Sequence, residues 1–321
     1  MNILILPEIQ EGAIRRTSFE LISYAVKLSA LNNGKVFGLA FGQAEEASLQ
    51  EASLFGLEEL WHVKTIEAST DPRSAGRATL MLAEEVNASL ILTTGSPEGK
   101  TVAAGIAARL NAGYVSGVTG LPVSINPFVV HHKFFSGKTI GSVEISSPIK
   151  VLSLAQNSFE IIKRPTTLII HPYSSTIVTE NAFTVLKKEL QKEALSLNEA
   201  SIVVAGGRGM KGPEKWKPLE ELADLLGAAT ACSRPVSDEG WRPHHEHVGQ
   251  TGKVIAPNVY IAIGISGAIQ HLAGISSSRI IIAINRDPEA PIFQSADYGI
   301  IGDAHEILPI FIEAVKRYRK N

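Results

Sequence analysis

The 321-residue sequence has little cysteine, little net charge and no long apolar run. Cys232 is its only cysteine, which excludes an intrachain disulfide, a CxxC zinc or iron–sulfur site and a redox dithiol, and indicates a reducing compartment. No apolar run approaches the ~18 residues of a membrane span. The opening segment MNILILPEIQ also lacks the basic and apolar regions of a secretory signal. We therefore expect a cytoplasmic protein without direct membrane insertion.

Charge and composition indicate an ordinary globular protein. The formal net charge is −2, so bulk electrostatics predict no nucleic-acid binding and no attraction to anionic membranes. Hydrophobic residues make up 45% of the chain and charged residues 19%, which is typical of globular proteins. At roughly 150 residues per domain, this length predicts two domains.

The first part of the chain alternates strand-like apolar runs with amphipathic segments, the pattern of βαβ units. A helix with Phe19, Ile22 and Val26 on one face is predicted to end at the turn-forming residues 32–34. Strands are predicted at 3–6, 36–41, 89–94 and 168–171, with a helix at 101–110. The pattern predicts an N-terminal α/β sandwich with a mostly parallel sheet.

A second domain is predicted to begin after a charged, helix-forming stretch at 187–193. A new apolar strand follows at 201–205. We therefore predict two α/β domains, 1–190 and 191–321.

The most informative local pattern lies in the second domain. Residues 258–264 form a strand-like run, residues 265–268 (ISGA) form a small-residue turn, and a helix start follows directly. Such a turn leaves backbone N–H groups unpaired at the positive end of the helix dipole, where a pyrophosphate binds. Ser266 and Gly267 are thus candidate phosphate contacts, although a lone turn of this type is often only a tight connection.

A competing phosphate motif lies at 95–101 (GSPEGKT), between a predicted strand and a predicted helix. A Walker A loop has the spacing GxxxxGK[ST], because successive N–H groups must wrap the phosphates while the lysine reaches back. The loop in this chain is one residue shorter than that spacing. Its alternative interpretation is a helix N-terminus with turn-forming residues.

Six ordered motifs resemble the electron transfer flavoprotein alpha subunit family. The longest, YIAIGISGAIQHLAG at 260–274, follows that family's signature almost without interruption. The others are AGGRG at 205–209, SRP at 233–235, VGQTGK at 248–253, NRDPEAPIFQSADYGI at 285–300, and Asp303. The resemblance covers nearly the whole chain. It implies a Rossmann-like C-terminal domain with a parallel sheet that binds FAD.

The resemblance also implies roles around the flavin ring. Arg234 is expected to lie against the isoalloxazine, where a planar, permanent cation stabilises negative charge on the reduced flavin. His271 is expected near the C2 carbonyl, Thr251 as a hydroxyl donor to N5, and Gln250 beside it. Taken alone, Arg234 is more typical of a surface arginine and His271 of a packed core histidine.

Other residues are implied to hold the nucleotide portion. Arg208 follows a strand and is expected to meet the phosphates or the flavin edge, Asn285 ends a strand at the ligand side of the sheet, and Asp303 is expected to accept from ribose or adenine groups. Each alone is also a plausible turn or cap residue. The complete set of expected FAD contacts is Arg208, Ser233, Arg234, Val248, Gly249, Gln250, Thr251, Ser266, Gly267, Ala268, Ile269, Gln270, His271, Asn285, Asp303 and Ala304.

Three residues depart from the family pattern. Gly117 stands where the family often has aspartate, Ala155 where it often has arginine, and Ser237 where it usually has an aliphatic residue. The first two lie in the N-terminal domain, which the resemblance assigns to contacts with the beta subunit.

The segment HHEH at 244–247 contains metal-ligand residue types, but adjacent ligands seldom converge on one ion and Pro243 opposes a helix. No metal site is therefore expected.

The resemblance implies an electron carrier and not an enzyme with a substrate reaction of its own. No nucleophile with an adjacent base is evident. One FAD is expected to accept electrons from flavoprotein dehydrogenases such as acyl-CoA dehydrogenases, through a semiquinone, and to pass them to a quinone oxidoreductase or other acceptor, as in fatty acid beta-oxidation. The implied partner is an electron transfer flavoprotein beta subunit, in a heterodimer.

Two alternatives belong to other functional classes. One is a nucleotide-dependent enzyme of the first domain, which rests on the loop at 95–101. The other is a binding module that has kept the fold without the flavin.

Overall fold

The computed structural model describes residues 1–68, 71–134, 139–173, 197 and 200–320. Contacts divide the chain into two compact units, Met1–Glu189 and Leu190–Asn321. The boundary predicted after residue 190, with the helix-forming stretch at 187–193, lies outside the described residues. Both units combine helices with mostly parallel sheets, so the predicted α/β fold class is confirmed.

The described part of the first unit contains a large sheet flanked by helices. Its strands are β1 (Asn2–Leu6), β2 (Ile9–Gln10), β3 (Ala13–Ile14), β4 (Val36–Phe41), β5 (Glu59–Val63), β6 (Ala88–Thr93), β7 (Gly113–Val118), β8 (Ser124–Ile125), β9 (Phe128–Phe134), β10 (Thr139–Glu144), β11 (Lys150–Leu154) and β12 (Ile169–Pro172). Its helices are α1 (Arg16–Asn32), α2 (Glu46–Gln50), α3 (Pro72–Glu85) and α4 (Pro97–Leu110), with a 3-10 turn at Glu51–Phe55.

The strand order of this sheet is β10-β9-β7-β11-β6-β1-β4-β5-β12, with β8 paired to β9. Pairing is parallel from β7 to β12 and antiparallel at the edge formed by β8, β9 and β10. Strands β2 and β3 form a separate hairpin.

Both faces of the central strands are covered, which explains their continuous apolar sequences. In β1, Ile3 and Ile5 pack in a cluster with α1, whereas Leu4 and Leu6 pack in a second cluster with α3 and α4. The two clusters lie on opposite faces of the sheet because successive strand side chains alternate.

The predicted elements of this unit are found with small shifts at their ends. The four predicted strands correspond to β1, β4, β6 and β12. Helix α1 ends at Asn32, and Asn33 adopts the left-handed conformation, φ 53°, of a helix C-cap. Helix α4 begins at Pro97, earlier than predicted, because the Ser96 hydroxyl accepts from the Gly99 amide and caps it.

The described part of the second unit contains a parallel sheet of the order β14-β13-β15-β16-β17. The strands are β13 (Ile202–Gly206), β14 (Ala229–Cys232), β15 (Val259–Ile263), β16 (Ile280–Asn285) and β17 (Tyr298–Ile301). The helices are α5 (Lys217–Leu226), α6 (Arg234–Asp238), α7 (Ile269–Ile275) and α8 (Ala304–Lys320), with 3-10 turns at Arg208–Met210, Pro213–Lys215, His244–Glu246 and Pro291–Gln294.

The chain leaves β13 towards one edge of this sheet and returns to continue towards the other. The strand order therefore reverses between β13 and β15, which makes this pair the topological switch point of the sheet. Val204 and Ile261 pack under α5 and α8, and Val203 and Tyr260 pack on the opposite face. Ligands of such sheets bind beyond the carboxyl ends of the strands at the switch point.

No helix in the described part of the chain has both the length and the apolar character that crossing a bilayer requires.

A buried carboxylate ties α1 to the segment that follows β11. Glu20 accepts hydrogen bonds from the backbone amides of Asn157 (3.1 Å), Ser158 (2.7 Å) and Phe159 (2.9 Å). Burial raises the pKa of Glu20, and the three amides act in the opposite direction. Three consecutive donors on one carboxylate hold this turn against the helix.

Replacing Glu20 with alanine is expected to destabilise the protein. The substitution removes the carboxylate that accepts from the amides of residues 157–159, and loss of the acceptor of a partly buried donor costs ~1–3 kcal/mol. We expect the free energy of unfolding, measured by urea denaturation of the full chain, to fall by about 2 kcal/mol or more. Glu84→Ala, at an exposed position of α3, serves as the control. Equal stability of the two variants would contradict the structural role of Glu20.

Candidate functional site

The carboxyl ends of all five strands of the second unit open into one pocket. Its volume is about 830 Å³. The loops that follow β13, β14, β15, β16 and β17 each contribute lining residues, among them Arg208, Arg234, Ser266, Asn285 and Asp303. A cavity of this size is within the range of small-molecule and cofactor sites.

The structure brings the predicted cofactor contacts together. Fifteen of the sixteen, His271 among them, line the pocket, and Ile269 is the exception. Ile269 begins α7 and its side chain is 65% exposed. The grouping gives the predicted residues a common site, and their contact with a cofactor stays a prediction.

Glycines bring the two loops of the switch point into backbone contact. The amide of Gly209 donates to the carbonyl of Gly264 at 3.0 Å, and that of Gly207 donates to the Ile263 carbonyl at 2.9 Å. A Cβ on Gly207 would lie 2.2 Å from the Gly264 oxygen. Gly264 itself has φ 62°, which favours glycine. No larger residue fits this contact unless the loops move apart.

The turn after β15 presents a row of backbone donors. Among the described residues, the amides of 266–270 have no hydrogen-bond acceptor. Gly267 adopts φ 83°, and a Cβ there would lie 2.4 Å from the Ile292 nitrogen. The Ile292 amide in turn donates to the Ser266 carbonyl at 3.0 Å, which fixes the turn from behind. Consecutive free amides of this kind form an anion-binding concavity.

The loop at 248–253 packs tightly against α7. The Gln250 amide donates to the Gln270 carbonyl at 2.7 Å. A Cβ on Gly274 would lie 2.5 Å from the Gly249 Cα, so both residues must be small for the loop to approach. Gln250 and Thr251 are therefore held at the pocket with exposed side chains.

Arg234 and Arg208 supply positive charge to the pocket. Arg234 is the first residue of α6, and its Nε lies 3.2 Å from the Asp238 carboxylate in an exposed ion pair. Arg208 is exposed in the 3-10 turn after β13, and its guanidinium has no hydrogen-bond or ion-pair partner among the described residues. An exposed pair of this kind contributes little energy, so both guanidiniums are accessible to an anionic ligand.

Asn285 and Asp303 already hold parts of the site in place. The Asn285 amide donates to the Ile265 carbonyl at 2.9 Å, and its oxygen accepts from the Asp287 amide at 3.0 Å. Asp303 accepts from the His305 amide at 2.9 Å and from Lys211 Nζ at 2.6 Å. The Lys211 ammonium lowers the pKa of Asp303, and the His305 amide acts in the same direction.

His271 is buried beside the central strand. Its Nε2 lies 2.9 Å from the hydroxyl of Tyr260. Burial lowers the pKa of His271 from 6.5 to about 4, and the Val248 carbonyl acts in the opposite direction. The imidazole is thus neutral at physiological pH. A neutral ring brings no positive charge to this side of the pocket.

Six ionisable lining residues are not among the predicted contacts: Lys211, Asp238, Glu239, His247, Arg286 and Asp287. Arg286 follows directly on Asn285, so extending the strand-end motif by one residue would have found it. Burial lowers the pKa of His247, and His244 acts in the same direction. No local pattern marks Lys211, which joins the site through Asp303 from a distant loop.

The two other sequence motifs have structural roles here. Just before α4, at the start of the 95–101 motif, the Thr94 and Ser96 hydroxyls donate to the Glu8 carboxylate, which also pairs with Arg15 at 3.0 Å. The N-terminus of α4 thus faces a protein carboxylate. In the segment 244–247, Glu246 pairs with Arg242 at 2.6 Å. Across the part of the chain that the structure describes, no group of three or more His, Cys, Asp or Glu could hold a metal ion.

One departure from the family pattern has a geometric basis. Gly117 has φ 67°, a left-handed conformation, next to a register shift between β7 and β11. A Cβ there would lie 3.3 Å from the His132 ring. The hydroxyl of Ser237 lies 3.4 Å from Nδ1 of His244. Ala155 is the first residue of the turn that Glu20 binds, and its carbonyl accepts from the Ser158 hydroxyl.

Two family models match the chain. One, described as an electron transfer flavoprotein domain, matches residues 3–182, and the other, described as an electron transfer flavoprotein FAD-binding domain, matches residues 196–276.

Relatives match over nearly the whole length. Electron transfer flavoprotein subunit alpha of Bacillus subtilis (strain 168) is 35% identical over 320 residues, covering 98% of each chain. Subunit alpha of Syntrophomonas wolfei is 33% identical over 316 residues, again covering 98% of each. The probable mitochondrial subunit alpha of Caenorhabditis elegans is 34% identical over 308 residues, covering 95% of this chain and 91% of the relative.

The second unit is a doubly wound α/β domain, as its strand order, its glycine contacts and the pocket at the switch point show. Proteins of this class hold nucleotide cofactors in this crevice. The family models and the relatives that match over both units also identify the family. The chain belongs to the electron transfer flavoprotein alpha subunit family.

The burial of His271 predicts a specific pH dependence of stability. Its folded pKa of about 4 lies below the ordinary value of 6.5, so the unfolded chain binds this proton more readily. The stability that the neutral, buried imidazole gives the folded state is fully present above pH 6.5 and is lost as the pH falls through about 4. We expect His271→Gln to flatten the unfolding free energy across this window by at most about 3 kcal/mol. Urea unfolding at several pH values tests this, and parallel profiles would contradict it.

Proposed function

We propose that the second unit binds one FAD in the pocket at the carboxyl ends of β13 to β17. The main support is the row of acceptor-free amides at 266–270 beside the glycine turn. These donors suit a pyrophosphate, which needs several N–H groups at close backbone approach. The pocket volume of about 830 Å³ and the match to an FAD-binding domain model support the same ligand.

The residues present fit both ends of such a cofactor. Arg208 and Arg286 are positive, exposed and without ion-pair partners among the described residues, so they suit the phosphates. On the other side, Arg234, Thr251 and the buried His271 offer a cation and donors for the isoalloxazine ring.

In this proposal the chain is an electron carrier. Bound FAD supplies the chemistry of accepting and releasing electrons. The protein binds and orients it, and Arg234 supplies permanent positive charge that favours the reduced flavin. Neutral His271 adds no second positive charge beside it.

We further propose that the chain works in a heterodimer with an electron transfer flavoprotein beta subunit. Relatives that match over nearly the full length are named as alpha subunits, which supports a paired subunit. The proposed donors are flavoprotein dehydrogenases such as acyl-CoA dehydrogenases. The proposed acceptor is a quinone oxidoreductase or another electron acceptor.

The central test is FAD binding by the chain co-expressed with a beta subunit. We expect a yellow complex with one FAD and, in Arg234→Ala, an affinity about tenfold to a hundredfold weaker, because a charge-assisted contact contributes ~1.5–3 kcal/mol. Affinity is measured by titrating the deflavinated complex with FAD. Arg279→Ala, an exposed arginine outside the pocket lining, is the matched control.

Two outcomes count against the proposal. A colourless complex that takes up no FAD on titration would favour a binding module without flavin. Equal FAD affinity in Arg234→Ala and Arg279→Ala would remove Arg234 from the site.

A glycine pair tests the phosphate turn separately. Gly267 and Gly240 both have positive φ, 83° and 72°, so alanine strains the backbone at either position. Only at Gly267 does the new Cβ meet the Ile292 backbone, whereas nothing lies within 4 Å at Gly240. We expect Gly267→Ala to weaken FAD at least ~10-fold, equivalent to about 1.4 kcal/mol. Gly240→Ala should retain its affinity, and an equal loss in both would contradict the turn's role.

A further inference from the structure

The pairing of Tyr260 with His271 determines more than local packing. Tyr260 lies in β15, the middle strand of the second sheet, and its side chain is fully buried. Its hydroxyl has one hydrogen-bond partner among the described residues, Nε2 of His271 at 2.9 Å. The other ring nitrogen, Nδ1, is buried and has no partner of good geometry in that part of the chain.

The tyrosine proton decides which way this hydrogen bond runs. A phenol hydroxyl has a single proton, and a buried donor seeks an acceptor. His271 Nε2 is the acceptor available to it, so the hydroxyl donates and Nε2 carries no proton. If Nε2 donated instead, the tyrosine proton would be left unpaired in the core.

We propose that Tyr260 is a positioning residue that holds His271, a residue of the pocket lining, in the tautomer with its proton on Nδ1. The tautomer rests on the protein geometry alone and is independent of the function proposed above.

The surroundings of the ring agree with this tautomer. Burial lowers the pKa of His271 to about 4, so one ring nitrogen is proton-free near neutral pH. The Val248 carbonyl raises that pKa, as a carbonyl near a ring N–H does. Burial raises the pKa of Tyr260 well above its ordinary value, so the phenol keeps its proton. The remaining titratable groups that act on this pair are His247 and Cys232.

The tautomer is measurable by NMR on the full chain labelled with 15N-histidine. Long-range proton–nitrogen correlation spectra distinguish a protonated ring nitrogen from an unprotonated one. The His271 signals are assigned by their loss in His271→Gln. We expect protonated Nδ1 and unprotonated Nε2 in the wild type near neutral pH. A proton on Nε2 would overturn the proposal without any variant of Tyr260.

Tyr260→Phe removes only the hydroxyl and tests its control over the ring. We expect the single tautomer to give way to a mixture. Tyr24→Phe is the matched control, since Tyr24 is also fully buried and its hydroxyl has no partner among the described residues. A tautomer unchanged in Tyr260→Phe would overturn the proposal.

Discussion

The second unit depends on one steric constraint, the backbone contact between the loops that follow its two central strands. A Cβ on Gly207, Gly209 or Gly264 would lie 2.2 to 2.7 Å from backbone atoms of the facing loop. Only glycine permits this approach. The contact fixes where both loops leave the sheet, and therefore where the free amides at 266–270 and the side chain of Arg208 face the pocket.

Some polar residues of the pocket hydrogen-bond to the protein and hold its loops in place, whereas others have side chains that are available to a ligand. Asn285 uses both ends of its amide to hold the two loops beside it, and Asp303 caps α8 while pairing with Lys211. Arg208 has no such internal partner among the described residues, and Arg234 has only an exposed one. Asn285 and Asp303 thus shape the site and still have oxygen lone pairs that can accept from a ligand. The two arginines have most of their N–H donors free for a ligand.

Local patterns in the sequence predicted the strand, turn and helix around Ser266, because each depends on neighbours a few residues away. The motif resemblance predicted most of the pocket lining. Neither could give the order of the strands, which decides that the loops after β13 and β15 meet. Lys211 could not be predicted from local sequence, because an ion pair with Asp303, far along the chain, holds it at the pocket. The Tyr260–His271 hydrogen bond likewise crosses from a strand to a helix.

Two turns of similar sequence, one in each unit, have different surroundings, so local sequence alone does not decide their function. Both units contain a small-residue turn between a buried strand and a helix, at 94–96 and at 265–268. In the first, the carboxylate of Glu8 is bound by the hydroxyls of Thr94 and Ser96, and its negative charge opposes a second anion. In the second, no protein carboxylate takes that place among the described residues, and the amides face an open pocket. The difference lies in what tertiary packing brings to each turn, so the anion site belongs to the second unit.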